Sequence, residues 1–404
     1  MKTIFKITLL FLMINAFQSC AKDDAPPLEP VVKAEPEPEN LPPSSFSIDV
    51  TTKKNTAQIS WAAPTDPEGD TILYKIMLGD SLVTEQSETN IEFSSLLFEQ
   101  EYQGKIIADD GNENQIEVVF NFTTGILWLT QYESNNGSGN GYAYEYDISE
   151  ALSAIVFTRT NERSNISYDN EGRLLSFKDI SYNYNNNGLL TSISDGSGLG
   201  DIELLYDDED KIRVLNLTRN EPDRQNYISR VKIDFFYNDA GDLVIMNRER
   251  RYSRVNTDGN VFQFNRQRLV YDTSGNVVES ISEDSDDGVT YTESNKFVMT
   301  YDDKKNPLTN IIEKQIKIDF QLLLGLTNVF DPLNFSYLQI EGYRFALNRG
   351  VHNIKSQKFF SGEDLLLGYD YEYNYNASGY PISARAVDNE GKETFPRWTY
   401  ADGQ

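Results

Sequence analysis

From residue 126 onward, apolar and polar residues alternate in short runs, and one recurring phrase separates the runs. Tyr271-Asp272-Thr273-Ser274-Gly275-Asn276-Val277 is its fullest form, and Tyr168 to Leu174 and Tyr237 to Leu243 are close copies. Looser copies begin at Tyr184, Tyr206, Tyr301 and Tyr375. Each time an aromatic residue ends an alternating run, Asp, Asn and Gly fill the turn, and an apolar residue opens the next run. A period of two is that of a strand with one buried face. The Asp or Asn after the Tyr can bond neighbouring amides, and the Gly four residues after it can take a positive φ. Asp210 and Lys305 stand where that Gly is missing, so there the turn must relax or use a permissive Asp. One unit is therefore a hairpin that cannot bury its face alone, and stacking the units makes one antiparallel sheet.

The same period places aromatic residues in stripes: Tyr142/Tyr144/Tyr146, Tyr182/Tyr184, Phe235/Tyr237 and Tyr371/Tyr373/Tyr375. Such stripes belong first to core or cross-strand pairing rather than to a ligand platform. Between Tyr301 and Tyr375 the phrase lapses, and an insertion is expected at about 306–345. Asn306-Pro307-Leu308 breaks the strand, and Ile318 to Phe330 is densely apolar without alternation. This predicts a short helix over the sheet, capping an end that would otherwise leave backbone groups unpaired. Trp398-Thr399-Tyr400 reads as a terminal strand, and the imperfect copies at Tyr206 and Tyr301 as places where the sheet is interrupted.

Residues 44–125 have a different rhythm. Six short runs of strand character, Phe46 to Thr51, Ala57 to Trp61, Tyr74 to Leu78, Asn90 to Phe93, Glu101 to Ala108 and Ile116 to Thr123, alternate with turn signals. They predict a small antiparallel sandwich. This stretch resembles a fibronectin type III domain. Trp61 stands at that family's buried core tryptophan, Tyr74 suits the following strand, and Leu96 six residues before Tyr102 resembles the tyrosine corner. The resemblance implies a spacer or protein-contact module. Residues 126–404, through their Tyr-Asp phrases, resemble the YD repeats of the Rhs and teneurin families and of smaller lipoproteins from anaerobic Gram-negative bacteria. That likeness implies hairpins coiled into a sheet. With so few units the expected form is open, curled or barrel-like, with a small helical insertion, and the chain as a whole is all-β.

The N-terminus carries an address. Lys2 and Lys6 precede an apolar run, Ile7 to Phe17, too short to cross a bilayer as a helix but fit for a secretory signal over residues 1–19. Phe17-Gln18-Ser19-Cys20 reads as a lipobox with Cys20 acylated; the bland alternative is an incidental cysteine near a signal-peptidase site. Ala21-Lys22-Asp23-Asp24 resembles the acidic signal that exports lipoproteins to the outer face of the outer membrane. Residues 20–43 hold seven of the fourteen prolines with interleaved glutamates, which makes an extended linker.

Composition narrows the partners. The formal charge of −27 becomes −29 once Lys2 and Lys6 are removed with the signal, so nucleic acid and bare anionic membranes are repelled. Cys20 is the only cysteine and His352 the only histidine, so disulfides are excluded, triad catalysis has one candidate base, and zinc and haem sites lack ligands. His352 lies in a polar segment and reads as a surface residue. Three acidic stretches, Asp66/Glu68/Asp70, Asp207 to Asp210 and Glu283 to Gly288, offer oxygen ligands for calcium, but each reads first as a solvated turn. No cofactor is expected. The leading expectation is a non-enzymatic, surface-anchored lipoprotein that binds or scaffolds an unknown surface protein or glycan. The alternative is a glycan-binding accessory protein for polysaccharide capture, and behind it a carboxylate-pair glycoside hydrolase. A concave aromatic patch favours glycans, and a flat apolar one favours protein.

Overall fold

The computed structural model describes residues 39–112, 114–135, 139–196, 200–220, 227–254, 261–317 and 351–401. Cys20, nearly all of the linker and the apolar run at 318–330 lie outside the described residues. The fold is all-β, as the sequence predicts.

The first seven strands form two facing sheets. They are β1 (Ile48–Lys53), β2 (Thr56–Trp61), β3 (Leu73–Leu78), β4 (Ser81–Gln86), β5 (Asn90–Phe93), β6 (Glu101–Asp109) and β7 (Gln115–Thr123). The sheet orders are β1-β2-β5 and β4-β3-β6-β7. Trp61 and Tyr74 are buried between them, edge to face at 5.2 Å, with Ile59, Ile76 and Ile106. The Leu97 N–H donates to the Tyr102 hydroxyl at 2.9 Å, tying the crossover to β6. Strand β4 has no counterpart among the predicted strands, because it is an edge strand with its side chains mostly in water and no alternation to read.

The chain enters this sandwich at one pole, where Asn40 bonds Asp110 (2.6 Å) and Asn114 (2.9 Å). It leaves at the other, where Gly125 lies so close to the Lys54 backbone that an added Cβ would stand 3.0 Å from it.

The remaining strands close into a barrel. They begin with β8 (Leu129–Glu133), β9 (Gly141–Tyr146), β10 (Leu152–Phe157), β11 (Glu162–Tyr168), β12 (Leu174–Phe177), β13 (Ile180–Tyr184), β14 (Leu190–Asp195) and β15 (Gly200–Tyr206). Longer strands follow: β16 (Ile212–Asn220), β17 (Tyr227–Tyr237), β18 (Leu243–Arg254), β19 (Val261–Tyr271), β20 (Val277–Ser285), β21 (Thr292–Lys305), β22 (His352–Ser361) and β23 (Asp364–Tyr375). β24 (Pro381–Asp388), β25 (Glu393–Thr394) and β26 (Arg397–Tyr400) complete it. Both β25 and β26 lie on β24, and the barrel has 18 staves. Closure comes from β26 pairing with β8, with Trp398 opposite Tyr132 and Tyr400 opposite Leu129. The sheet is thus fully closed rather than open. It is not interrupted at Tyr206 either, since β15 and β16 pair along their length.

One hairpin geometry repeats at one end of the barrel. In the turns beginning at Asp147, Asp169, Asn185, Asp207, Asn238, Asp272 and Asn376, the side-chain Oδ1 accepts the N–H groups two and four residues on. The fifth residue of the phrase takes the left-handed conformation, as Gly275 does at φ 83° and Asp210 at 61°. A small permissive side chain therefore replaces glycine without relaxing the turn. Each turn also carries a β-bulge at its tyrosine, for example between Phe236 and Tyr237, and bulges add twist that helps a sheet curl.

Tyrosine hydroxyls then lash unit to unit. Tyr146, Tyr184, Tyr206, Tyr237, Tyr271, Tyr301 and Tyr400 donate to the carbonyls of Leu129, Leu174, Leu190, Ile212, Leu243, Val277 and Pro381 at 2.7–3.0 Å. Most of these acceptors are the residue that reopens the preceding unit.

This turn end is sealed. A helical segment, α1 (Pro307–Asn310) running into a π-helical turn (Ile311–Ile316), drops Leu308, Ile311 and Ile312 into the barrel core. Gln315 accepts from the Leu152 N–H (2.8 Å) and donates to the Glu150 carbonyl (2.9 Å). The short helix expected over Ile318 to Phe330 falls outside the described residues; this segment lies where the sequence reading marked only a strand break at Asn306-Pro307-Leu308. The sandwich closes the rest. Phe98, from the β5–β6 connection, is 1% exposed within the barrel core, and its N–H donates to Ser378 Oγ at 3.0 Å. Beside it Glu99 pairs with Lys314 (2.7 Å) and accepts from the Tyr380 hydroxyl.

Candidate functional site

The outer wall settles which solvent the barrel meets. Outward positions carry Arg163, Asn165, Ser167, Asn183, Asp201, Glu203, Asn216, Thr218, Lys232 and Asp234, while the intervening Ile166, Tyr182, Ile202, Leu204, Leu215, Leu217, Val231 and Ile233 are buried inside. A barrel that spans a bilayer has the reverse pattern, an apolar belt outside. This wall faces water. Ion pairs such as Lys232–Asp234 (2.8 Å) and Arg385–Glu393 (2.6 Å) decorate it, each worth at most about 1 kcal/mol.

The end opposite the sealed one is lopsided, and among the described residues no helix or strand crosses it. Strands β17 to β23 run 9–14 residues, against 4–7 for β8 to β15. At about 3.4 Å per residue the taller side stands roughly 40 Å high and the shorter roughly 20 Å. Cross-strand register shows which side chains line the tall wall, because directly paired residues share a face. Buried Phe235 lies opposite Met246, Ile233 opposite Arg248, and Val231 opposite Arg250. Met246, Arg248 and Arg250 lie opposite Gln267, Asn265 and Gln263. Gln267 and Asn265 in turn pair with Ser282 and Asp284. The inner face therefore changes from apolar near the turns to amide, hydroxyl and guanidinium toward the rim.

Hydrogen bonds hold part of this lining. Arg250 Nε donates to Ser229 Oγ (3.4 Å), Gln267 Nε2 to Ser280 Oγ (2.6 Å), and Asn265 Nδ2 to the Asp284 carboxylate. Asn265 Oδ1 is buried with no hydrogen-bond partner among the described residues. Asp284 is the one carboxylate at the described inward positions of β17 to β21.

Another part of the inner wall toward the rim is aromatic. Tyr132 and Trp398 meet at 5.4 Å, Tyr373 and Trp398 at 5.8 Å, Tyr371 and Tyr373 stack at 5.9 Å, and Phe297 and Phe359 at 4.5 Å. Tyr142 and Phe157 continue the surface at 5.5 Å. Exposure rises along β23 from half-buried Tyr373, Tyr371 and Tyr369 to Leu367, which is 40% exposed although it shares their inward face. Strands β9 and β18 lie nine staves apart around the ring, so the Tyr142 wall lies across the barrel from the arginine wall.

The residues marked from sequence fall elsewhere. Asp66 Oδ1 is occupied by the amides of Glu68 (3.0 Å) and Asp70 (2.9 Å), and Asp207 Oδ1 by those of Glu209 and Lys211. In the Glu283 to Gly288 stretch, Glu283 is buried on the outer face between Arg266 and Arg268. Asp287 Oδ1 accepts from Val289 and Thr290, both at 2.8 Å. Among the described residues no three His, Cys, Asp or Glu side chains gather as a metal site. His352 is half-buried rather than a free surface group, with Nδ1 3.2 Å from the Asn276 amide nitrogen. Sequence reading assigned the Tyr371 stripe first to core or cross-strand pairing; Tyr369, Tyr371 and Tyr373 are half-buried, and Tyr371 packs against the barrel core. The arginine and amide lining was not marked, although Arg248/Arg250 and Gln263/Asn265/Gln267 keep the period of two.

No protein-family model matches the chain, and no curated protein does. Among solved structures, a porin-like protein from Bacteroides vulgatus is similar at 12% identity and TM-score 0.38, covering 69% of this chain and 100% of that one. A porin-like protein from Bacteroides uniformis has 11% identity and TM-score 0.21, covering 90% and 98%. Domains d3–d4 of the rat CD45 extracellular region have 14% identity and TM-score 0.19, covering 30% and 86%.

Proposed function

We propose that this chain is a non-enzymatic, surface-anchored lipoprotein, acylated at Cys20, whose barrel is a cup that binds carbohydrate at its mouth. The observation that carries the reading is the concave aromatic wall formed by Tyr132, Tyr142, Tyr371 and Trp398 at the end opposite the sealed one of a water-facing barrel. Sugar rings stack their C–H faces on such rings, and amides facing them can bond hydroxyls. Hydrolysis of a glycosidic bond needs two carboxyl groups about 5–10 Å apart, and among the described inward positions of β17 to β21 Asp284 is the one carboxylate, already bonded to Asn265.

A second reading, docking of a protein, has its own observation: Leu205, Phe236 and Val270 are exposed on the outer wall beside the turns. Glycan-array binding by the mature chain, followed by Trp398→Ala, separates the two. Binding that falls at least tenfold in the variant supports the cup. Glycan binding that the variant leaves intact, or none at all, overturns it.

A further inference from the structure

The aromatic residues of the mouth stand in a row, and the direction of that row bears on how a ligand lies. Trp398 pairs with Tyr132, Tyr132 with Tyr142, and Tyr142 with Phe157, so four side chains on the adjacent strands β26, β8, β9 and β10 share one face at one height. Tyr373 lengthens the row beyond Trp398, at 5.8 Å. The row thus runs around the barrel rather than along a strand. It places one ring per strand spacing of about 4.8 Å, comparable to the length of a pyranose unit.

Its height matters as much. Phe157 is the last residue of β10, Tyr142 and Trp398 are the second residues of β9 and β26, and Tyr132 is the last but one of β8. The row therefore marks the lip of the short wall. Just beneath it the barrel is filled, since Leu129, Tyr144, Ile155 and Tyr400 are only 1–2% exposed. A chain end pushed down along the barrel axis on this side meets packed core. A chain laid along the lip meets one half-buried ring after another.

Charge narrows the ligand further. Inward positions include Glu162 opposite Phe157, Asp364 opposite Ser361 and Asp388 opposite Tyr369, in a protein of formal charge −27. Arg248 and Arg250, on the far wall, have partners within the protein. Acidic sugars are thereby disfavoured against neutral ones.

We infer that the lip binds the interior of a linear, neutral polysaccharide, its consecutive units stacked along Trp398, Tyr132, Tyr142 and Phe157, rather than a chain end. This rests on the carbohydrate reading above and narrows it. The test is calorimetric titration of the mature chain with cello-, malto- and manno-oligosaccharides from dimer to octamer. Each series includes a hexamer blocked at both ends, as a methyl glycoside and a 4,6-O-ethylidene acetal. In at least one series affinity should rise roughly tenfold or more from dimer to hexamer, and the blocked hexamer should bind within about twofold of the free one. The series that responds identifies the sugar and its linkage. Phe157→Ala, which removes one end of the row, should reduce the gain from trimer to hexamer.

A dimer that binds as tightly as the hexamer, or a blocked hexamer weakened roughly tenfold, overturns recognition of the interior while leaving a carbohydrate cup standing. Binding in none of the series overturns both. The length and blocking comparisons use the unaltered protein, so they decide the question even if the variant does not fold.

Discussion

At the scale of single residues the barrel runs on two side-chain bonds repeated around its sealed end. One is the tyrosine hydroxyl to a neighbouring unit's carbonyl. Tyr146→Phe removes the 2.8 Å bond to Leu129 and leaves that carbonyl short of a donor, which costs about 1–2 kcal/mol. Tyr182 has the same parentage, but its buried hydroxyl has no partner among the described residues, and burial pushes its pKa upward. Tyr182→Phe should therefore be neutral or stabilising. Urea midpoints of the two variants check the pair, and equal losses would overturn the contrast.

The other bond is the Asx turn. The Arg173 amide is the foremost group holding the Asp169 carboxyl below its usual 3.8, and the Lys211 amide does the same for Asp207. A depressed folded value means the contribution is whole above the unfolded pKa and is lost as pH falls through the folded one. Asn serves the same role at Asn185 and Asn238 without titrating. The double variant Asp169→Asn/Asp207→Asn should thus keep its melting temperature at pH 7 and lose less of it than the parent between pH 5 and pH 2.5.

At the scale of elements, the joint between sandwich and barrel is a plug rather than a tether. Phe98 and the helical segment from Pro307 complete a core that the hairpins leave open. Truncating a buried Phe typically costs about 3–5 kcal/mol. Here the loss falls on the joint as well as the core, so Phe98→Ala should split one calorimetric transition into two. A single transition at the parent's temperature would show that the two parts are not coupled through this residue.

Hairpin units, their turn chemistry and the closing strand at Trp398 were legible in the sequence because each is a local pattern of a few residues. Closure was not, since the pairing of Tyr400 with Leu129 joins residues 271 positions apart (400 − 129). Nor was the change of the inner face from apolar to polar along β18 and β19. Both halves alternate with the same period, and only the register against Ile233 and Val231 shows that Arg248 and Arg250 point inward. Calcium-like acidic runs misled in the opposite direction, because a carboxylate consumed by backbone amides has the same composition as one awaiting a cation.

At the scale of the whole molecule, the two poles of the sandwich give the protein a direction. Asn40, where the chain arrives, sits at the Asp110 pole, and Phe98 grips the barrel near the other, with the nine residues of β6 between them. That strand spans about 30 Å, and the tall wall adds about 40 Å beyond it. Were Cys20 lipidated, as proposed, the sealed base would face the cell and the rim would face outward. A linker as extended as its prolines predict would contribute up to about 60 Å more. Such a molecule behaves as a long-handled ladle. On the proposed function, its catch would be made well clear of the envelope, in the layer where neighbouring cells and polymers pass.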